Sequence, residues 1–209
     1  MPDGPPAVVL APDERAARGP ATRAAIEAAA VELFARLGYH ATTMRQIAAD
    51  ANVRAAAIYH WFPSKEAILV HLQDAFMEEL TERVEAAIAR QDTPALRLAG
   101  FVHAHVAYHC EHPLEAFVTD SEIRALGADA RAALIAQRDA YQERFGALVR
   151  AGIRDGSLRC SDARVATYAI LLQCTAVGEV HVELVLGALG ASRELVAEAI
   201  ARTTSEAPA

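Results

Sequence analysis

A stretch in the first third of the chain places helix stop and start signals so close together that only short helices fit between them. Gly38 is a typical helix end. Thr43 and Gln46 have the spacing of a capping box, in which each side chain accepts a hydrogen bond from the other residue's backbone N–H. Asn52 tolerates the left-handed backbone of a tight turn. Ser64, directly after a proline, is a suitable cap for a following helix.

These signals predict four helices. The first is expected from about Thr22 to Leu37, because apolar residues recur there at three- and four-residue intervals. A short second helix is expected at 43–50, a third from about Arg54 to Trp61, and a long fourth from Lys65 to about Ala89. Three helices in quick succession, with a tight turn between the last two, is the outline of a helix-turn-helix. Spacing alone is equally compatible with the start of an ordinary helical bundle.

Composition narrows the possible function classes. The 209 residues are 53% hydrophobic and rich in alanine, which is typical of a packed helical protein. Apolar runs are too short to span a membrane, and the N-terminus does not have the pattern of a secretory signal peptide. The three cysteines are scattered and form no CxxC pair, which is expected of reduced thiols in a cytoplasmic protein.

The net charge of −7 is unusual for a protein that binds DNA. The acidity is confined to the later part of the chain, since residues 1–70 hold as many basic as acidic side chains. Phosphate binding depends on local placement of cations, so the global charge does not exclude a nucleic-acid partner.

The residues from the end of the first helix onward closely resemble the DNA-binding domain of the TetR family of repressors. The resemblance implies an all-α fold, with an N-terminal three-helix helix-turn-helix domain and a C-terminal helical bundle for ligand binding and dimerisation. The order, spacing and chemistry of the matching residues agree together. They are Gly38, Tyr39, Thr42, Thr43, Ile47, Ala48, Ala51, Val53, Ile58, Tyr59, Phe62, Ser64, Lys65, Glu66 and Leu69.

The domain organisation expected from this resemblance has four parts. Residues 1–20, rich in Pro, Gly and Ala, are expected to form a disordered arm. Residues 21–67 form the DNA-binding domain and residues 68–203 the ligand-binding and dimerisation domain. Residues 204–209 are expected to be a flexible tail.

The chain departs from the family pattern in its third, recognition helix. Arg54 stands where relatives usually have a capping serine, which removes a cap of about 1 kcal/mol and adds a cation. Three alanines follow it, so base readout should rest on few contacts, including alanine methyls against thymine methyls. Arg54 itself is suited to either a guanine or a phosphate.

The resemblance assigns the DNA contacts to the second and third helices and the start of the fourth. Thr43 and Arg45 are expected to face the DNA backbone, and Lys65 is expected to hold a phosphate. Trp61 and Phe62 are expected to pack between the third and fourth helices. The predicted DNA-binding set is Thr43, Arg45, Arg54, Ala55, Ala57, Tyr59, His60 and Lys65.

Helical periodicity continues through the rest of the chain. Gly and Pro separate the predicted segments, and Asp162 and Ser192 are plausible N-caps. One apolar stripe contains Val165, Ala169, Leu172 and Ala176 and another contains Val196 and Ile200, and together they predict a dimer interface on the last two helices. The predicted helices are 94–110, 114–126, 129–155, 162–187 and 192–203.

The segment 121–159 resembles a TetR subgroup whose members respond to acyl-CoA thioesters or other products of lipid degradation. The matching residues are Glu122, Arg124, Leu126, Arg138, Tyr141, Gly152, Gly156 and Leu158. Arg124, Arg131 and Arg138 recur every seven residues, and they either contact the phosphates of coenzyme A or form a solvated basic face.

Four histidines at 103–112 raise the question of a metal. His105, His109 and His112 share a helix face, a spacing that zinc or nickel accepts. His112 precedes a proline, however, and is expected to lie outside the helix. We therefore predict no metal site and no cofactor, and expect these histidines to line a pocket or the surface. The predicted effector-binding set is Phe101, His105, Tyr108, His109, Phe117, Arg124, Arg138, Tyr141, Phe145 and Tyr168.

The sequence features and the resemblance together predict a cytoplasmic, homodimeric transcriptional regulator. It is expected to be a repressor that a hydrophobic or acyl-CoA-type effector releases from a palindromic operator. An enzyme is disfavoured because the sequence holds no nucleophile–base motif, zinc-protease motif or glycine-rich phosphate loop. The alternative is a TetR-like fold that has lost operator binding and acts as a small-molecule or partner-binding module.

Overall fold

The computed structural model describes residues 12–176, with side chains from 19 to 175. Every regular element in this range is helical, which confirms the predicted all-α fold. The elements are α1 (Pro12–Leu37), α2 (Met44–Asp50), α3 (Ala55–Trp61), α4 (Lys65–Ala89), α5 (Pro94–Glu111), α6 (Pro113–Ser121), a 3₁₀ turn (Ile123–Ala125), α7 (Ala128–Asp155) and α8 (Ala163–Ala176).

The chain packs as two units, which divide between Leu72 and Gln73. The sequence placed this boundary after residue 67, earlier in the same helix. Helix α4 therefore contributes its first residues to one unit and the remainder to the other.

The predicted N-terminal arm is partly wrong, since α1 begins at Pro12 rather than near Thr22. Proline is well tolerated in the first turn of a helix, and the Ala, Arg and Glu residues that follow have high helix propensity. Pro20 lies inside the helix, where its lack of an N–H removes one backbone hydrogen bond. The rest of the arm, residues 1–11, and the predicted tail at 204–209 lie outside the described residues.

The turns of the first unit follow the predicted signals. Gly38 ends α1 with a φ of 80°, and Asn52 forms the turn before α3 with a φ of 54°. The capping box of Thr43 and Gln46 is present at the start of α2. The backbone N–H of Ala67 donates to the Ser64 hydroxyl at 3.0 Å, which caps α4. The core beneath these turns includes Ile26, Ala30, Leu33, Phe34, Ile47, Ile58, Phe62 and Leu69.

The second unit is built around α5, which packs on α7 and α8. Phe101 and Phe145 are fully buried at its centre, with ring centroids 4.9 Å apart in an edge-to-face arrangement. The predicted N-cap of α8 is present, since Asp162 accepts the backbone N–H groups of Arg164 and Val165 at 2.8 and 3.1 Å.

The predicted helix 114–126 is wrong in its second half. Helix α6 ends at Ser121, and a separate 3₁₀ turn follows it. Thr119, Asp120 and Ser121 favour this break because their side chains compete for backbone hydrogen bonds. The later part of the predicted helix 162–187, and all of 192–203, lie outside the described residues.

Gly152 allows a close contact at the end of α7. The backbone N–H of Leu158 donates to the Gly152 carbonyl at 2.9 Å, and the Leu158 side chain is buried. A Cβ on Gly152 would clash with Leu158 Cδ1. Gly156 makes the intervening turn with a φ of 81°. The glycines of the subgroup motif therefore have a packing role here.

We expect Gly152→Ala to lower the free energy of unfolding by about 1–3 kcal/mol, because the added methyl overpacks Leu158. Urea unfolding followed by circular dichroism measures this loss. Gly19→Ala is the matched control, since a Cβ there lies 3.4 Å from its nearest neighbour, in ordinary contact with Trp61. Equal stability of the two variants would contradict this role for Gly152.

Candidate DNA interface and effector cavity

Helix α3 presents most of its surface to solvent. Only Ile58 is buried within it, whereas Ala55, Ala57, Tyr59 and His60 are exposed. Arg54 precedes this helix, is exposed, and makes no capping hydrogen bond with its side chain. The helix and the residue before it therefore expose one cation, small methyl groups and a phenol.

The start of α2 adds a second cation to the first unit. Arg45 is exposed in the first turn. Thr43 is exposed as well, but its hydroxyl takes part in the capping box and donates to Gln46 Oε1 at 2.7 Å. The cap orders the turn that carries Arg45.

Lys65, at the start of α4, contacts the turn between α1 and α2. Its ammonium donates to the carbonyl oxygens of Tyr39 and Thr42, both at 2.6 Å. It also lies 4.3 Å from the centroid of the Tyr39 ring. An ammonium has three N–H donors, and those of Lys65 are directed at the turn between α1 and α2.

The two aromatic residues predicted to pack in the core differ in burial. Phe62 is buried, as predicted, and the guanidinium of Arg23 lies 5.6 Å from its ring centroid. Trp61 is half-buried, with its ring edge-on to His60 at 5.5 Å.

The second unit contains a cavity of about 120 Å³. Four of the predicted effector residues line it, namely His105, His109, Arg138 and Tyr141. Its apolar wall comes from Phe76, Met77, Leu80 and Leu171, and Asp120, Gln142 and Thr175 complete the lining. The last three were not predictable from the sequence, since polar residues on a helix are usually solvated.

His105 is the most buried polar group of this cavity, with 4% of its surface exposed. Its Nδ1 lies 2.8 Å from the Tyr141 hydroxyl, and its ring stacks on that of His109 at 4.2 Å. Burial lowers the pKa of His105 to about 3, with a smaller contribution from His109, so the ring is neutral at pH 7. Its Nε2 has no hydrogen-bond partner within the described part of the chain.

Arg138 lies on the same cavity wall. One terminal nitrogen donates to the Thr119 carbonyl at 2.9 Å and lies 3.1 Å from Asp120 Oδ1. Its Nε is buried and, among the residues that the structure describes, unpartnered. Gln73 of α4 donates to the same Thr119 carbonyl at 3.0 Å. This carbonyl therefore joins the cavity wall to α4.

The structure does not bring the remaining predicted effector residues to this cavity. Phe101, Tyr108 and Phe145 are buried in the core, and the Tyr108 hydroxyl donates to Glu79 at 3.3 Å. Arg124 and Tyr168 are exposed. Phe117 is exposed too, and it borders an opening of about 490 Å³ that shares His109, Asp120 and Thr175 with the cavity.

A wider groove of about 580 Å³ runs between α4 and α7. Its α4 side is acidic, with Asp74, Glu78, Glu82 and Glu85. Arg144 forms two hydrogen bonds with Glu85, at 2.6 and 2.8 Å, and they lower the pKa of that carboxyl. The groove is electrostatically unsuited to phosphate groups.

Neither a metal cluster nor a membrane span is found in the part of the chain that the structure describes. No three His, Cys, Asp or Glu side chains come together there as metal ligands. His112 caps α5, as the following proline predicted, and His103 is exposed. No described helix is long and apolar enough to cross a membrane.

Two family descriptions match separate parts of the chain. Residues 26–72 match "Bacterial regulatory proteins, tetR family", and residues 91–179 match "Tetracyclin repressor-like, C-terminal domain". These ranges fall in the first and second unit, respectively, as far as the structure describes them.

Individual relatives agree with this assignment. The HTH-type transcriptional repressor KstR2 of Rhodococcus jostii is 30% identical over 132 residues, which are 62% of this chain and 64%, just under two thirds, of that relative. The fatty acid metabolism regulator protein of Bacillus subtilis is 30% identical over 143 residues, covering 68% of this chain and 74% of the relative. The crystal structure of FadR from Bacillus subtilis in complex with stearoyl-CoA is similar with a TM-score of 0.63 at 26% identity, over 87% of this chain and 95% of that one. The chain belongs to the TetR family of bacterial transcriptional regulators.

Proposed function

We propose that this protein is a homodimeric transcriptional repressor that binds a palindromic operator and is released from it by an acyl-CoA thioester. The proposed binding to DNA rests on the exposure of α3. This helix follows the exposed Arg54, presents nearly all of its surface to solvent, and is anchored to the core through the buried Ile58. A helix so exposed fits the major groove, and the exposed Arg45 is available for a phosphate.

The effector class is supported by the cavity and by the relatives. The cavity combines an apolar wall with a few buried polar atoms, the usual make-up of a small-molecule site. One relative is a fatty acid metabolism regulator, and a similar solved structure holds stearoyl-CoA. A regulatory rather than an enzymatic role, exercised on DNA in the bacterial cytoplasm, is consistent with these relatives.

The proposed mechanism is a population shift. Phe76, Met77 and Leu80 of α4 line the cavity, and the same helix begins in the DNA-binding unit. An effector that binds one conformation of the second unit more tightly will populate that conformation. Release of the operator requires that this conformation bind DNA more weakly, so effector and operator weaken each other's binding by the same factor.

The alternative, a TetR-like module without operator binding, has specific support. Helix α3 begins with three alanines, and the first 70 residues carry no net charge. Both features reduce the number of contacts available for base and phosphate recognition. The two functions differ in a simple observable, which is salt-sensitive binding to the DNA upstream of the protein's own gene.

We expect binding to that DNA to weaken steeply as salt rises, and we expect Arg45→Ala and Arg54→Ala to flatten the dependence. Each lost phosphate contact should reduce the slope of log K against log salt by about 0.9. Fluorescence anisotropy at several salt concentrations measures the slopes. An Arg54 that contacts a base instead will show relaxed sequence preference.

Arg159→Ala is the matched control, because Arg159 is an exposed arginine of the second unit. Its slope should equal that of the wild-type protein. Absence of binding to upstream DNA at low salt would reject the repressor and favour the binding module.

A further inference from the structure

The cavity around His105 limits the size and chemistry of the effector more closely than membership of the TetR family does. We infer that the effector carries a short acyl group, of about four or five carbons, whose carbonyl oxygen accepts a hydrogen bond from His105 Nε2. This inference rests on the proposed function, since it names which acyl-CoA thioesters bind.

The first argument is size. A cavity of about 150 Å³ takes up one benzene molecule of six carbons, so a cavity of about 120 Å³ holds about five carbon-sized groups. A stearoyl chain, as bound by the similar FadR, is far longer than this. Phe76 and Leu80 are buried on the cavity wall, where a longer chain would have to displace them.

The second argument is the position of the proton on His105. The Tyr141 hydroxyl is the group within hydrogen-bond distance of Nδ1, and burial raises the pKa of Tyr141, so the phenol keeps its proton. If the hydroxyl donates to Nδ1, both groups are satisfied and the proton of the neutral ring must lie on Nε2. The opposite tautomer leaves the hydroxyl proton without an acceptor among the described residues. Nε2–H is therefore a buried donor without a partner. Such a donor destabilises the folded protein, and a bound ligand that supplies an acceptor removes this penalty.

The third argument concerns the charge of that acceptor. The negative charge of Asp120 compensates the positive charge of Arg138 on the cavity wall, and His105 is neutral. The cavity therefore has no net positive charge to receive a carboxylate, and burying an uncompensated charge is costly. A neutral carbonyl is a suitable acceptor for the unpartnered Nε2–H of His105, so a thioester is favoured over the free acid.

The fourth argument concerns the rest of the thioester. The groove between α4 and α7 is acidic and repels the phosphates of coenzyme A. The opening bordered by Phe117 and Pro113 shares three lining residues with the cavity and lacks this row of carboxylates. The acyl group is thus expected to enter from the α6 side.

The test is calorimetric titration of the full-length dimer with acetyl-, butyryl-, isovaleryl-, octanoyl- and palmitoyl-CoA. We expect affinity to rise about fourfold per methylene up to four or five carbons and to fall beyond that length. S-butyl-CoA, a thioether of matched length without the carbonyl, should bind about tenfold more weakly than butyryl-CoA.

Two variants assign these effects to residues. His105→Phe should remove the difference between butyryl-CoA and S-butyl-CoA, and His103→Phe, at an exposed histidine of the same helix, should keep it. Leu171→Ala removes three carbons from the cavity wall and should move the optimum to a longer chain. A purely structural role of His105 would leave the carbonyl preference intact.

The possible failures are distinguishable. Tightest binding of palmitoyl-CoA, or equal binding of the thioester and the thioether, overturns this inference and leaves the proposed acyl-CoA repressor standing. If thioesters of every length fail to bind to a protein that binds its upstream DNA, both the inference and the proposed effector class are overturned.

Discussion

Leu172→Arg is expected to convert the protein into a monomer whose operator affinity is at least about a hundredfold lower. Leu172 is 71% exposed on α8, and Val165 and Tyr168 on the same face are 63% and 50% exposed. Ala169, which the sequence placed on this stripe, is exposed between them. The opposite face of α8 is buried through Thr167, Ile170 and Cys174.

The size of the effect follows from symmetry. In a two-fold dimer the same patch faces itself, so one substitution places two unpaired arginines in the interface. Each charge loses its water without gaining a partner, a penalty of several kcal/mol. A monomer presents one recognition helix instead of two, so its affinity for the operator should decrease towards its affinity for non-specific DNA.

Light scattering after gel filtration gives the oligomeric state, and fluorescence anisotropy gives the operator affinity. Ala86→Arg, at an exposed position of α4, is the control and should remain a dimer. Far-UV circular dichroism verifies that the monomeric variant is still helical. Leu172→Ala should raise the dimer dissociation constant without introducing a charge. If Leu172→Arg remains dimeric with unchanged operator affinity, the interface lies elsewhere.

The fold was predictable where one residue type dictates the backbone. Gly38, Asn52 and the capping box of Thr43 mark the turns of the first unit, because few residues tolerate those conformations or supply that cap. The start of α1 was not predictable, since a proline and a glycine near residue 20 are ordinary helix breakers. The neighbouring Ala, Arg and Glu residues compensate for them.

The candidate effector site was predictable only in part. The aromatic and histidine residues of α5 and α7 pointed to two of the helices that line the cavity, but composition cannot separate Tyr141, on the cavity wall, from Phe145, one turn further along in the core. That choice depends on how α5, α7 and α8 pack together. The unpartnered Nε2 of His105 likewise arises from tertiary packing.

Lys65→Met is expected to lower the free energy of unfolding by about 2 kcal/mol while leaving the salt dependence of operator binding unchanged. The resemblance to TetR repressors assigns this lysine to a phosphate. In the structure its ammonium donates to the Tyr39 and Thr42 carbonyls and lies over the Tyr39 ring. Hydrogen bonds to a charged donor are worth more than neutral ones, and the cation–π contact adds to them. The methionine keeps most of the apolar stem of the lysine but leaves both carbonyls without this donor.

Arg45→Ala provides the opposite pattern, because Arg45 is exposed. Its loss should flatten the salt slope by about 0.9 and barely change stability. Urea unfolding and anisotropy on the same preparations separate the two effects. A Lys65→Met variant with wild-type stability and a flattened slope would restore the phosphate role. The expected pair of results instead assigns Lys65 to holding the turn before α2, the turn that positions Arg45 for DNA.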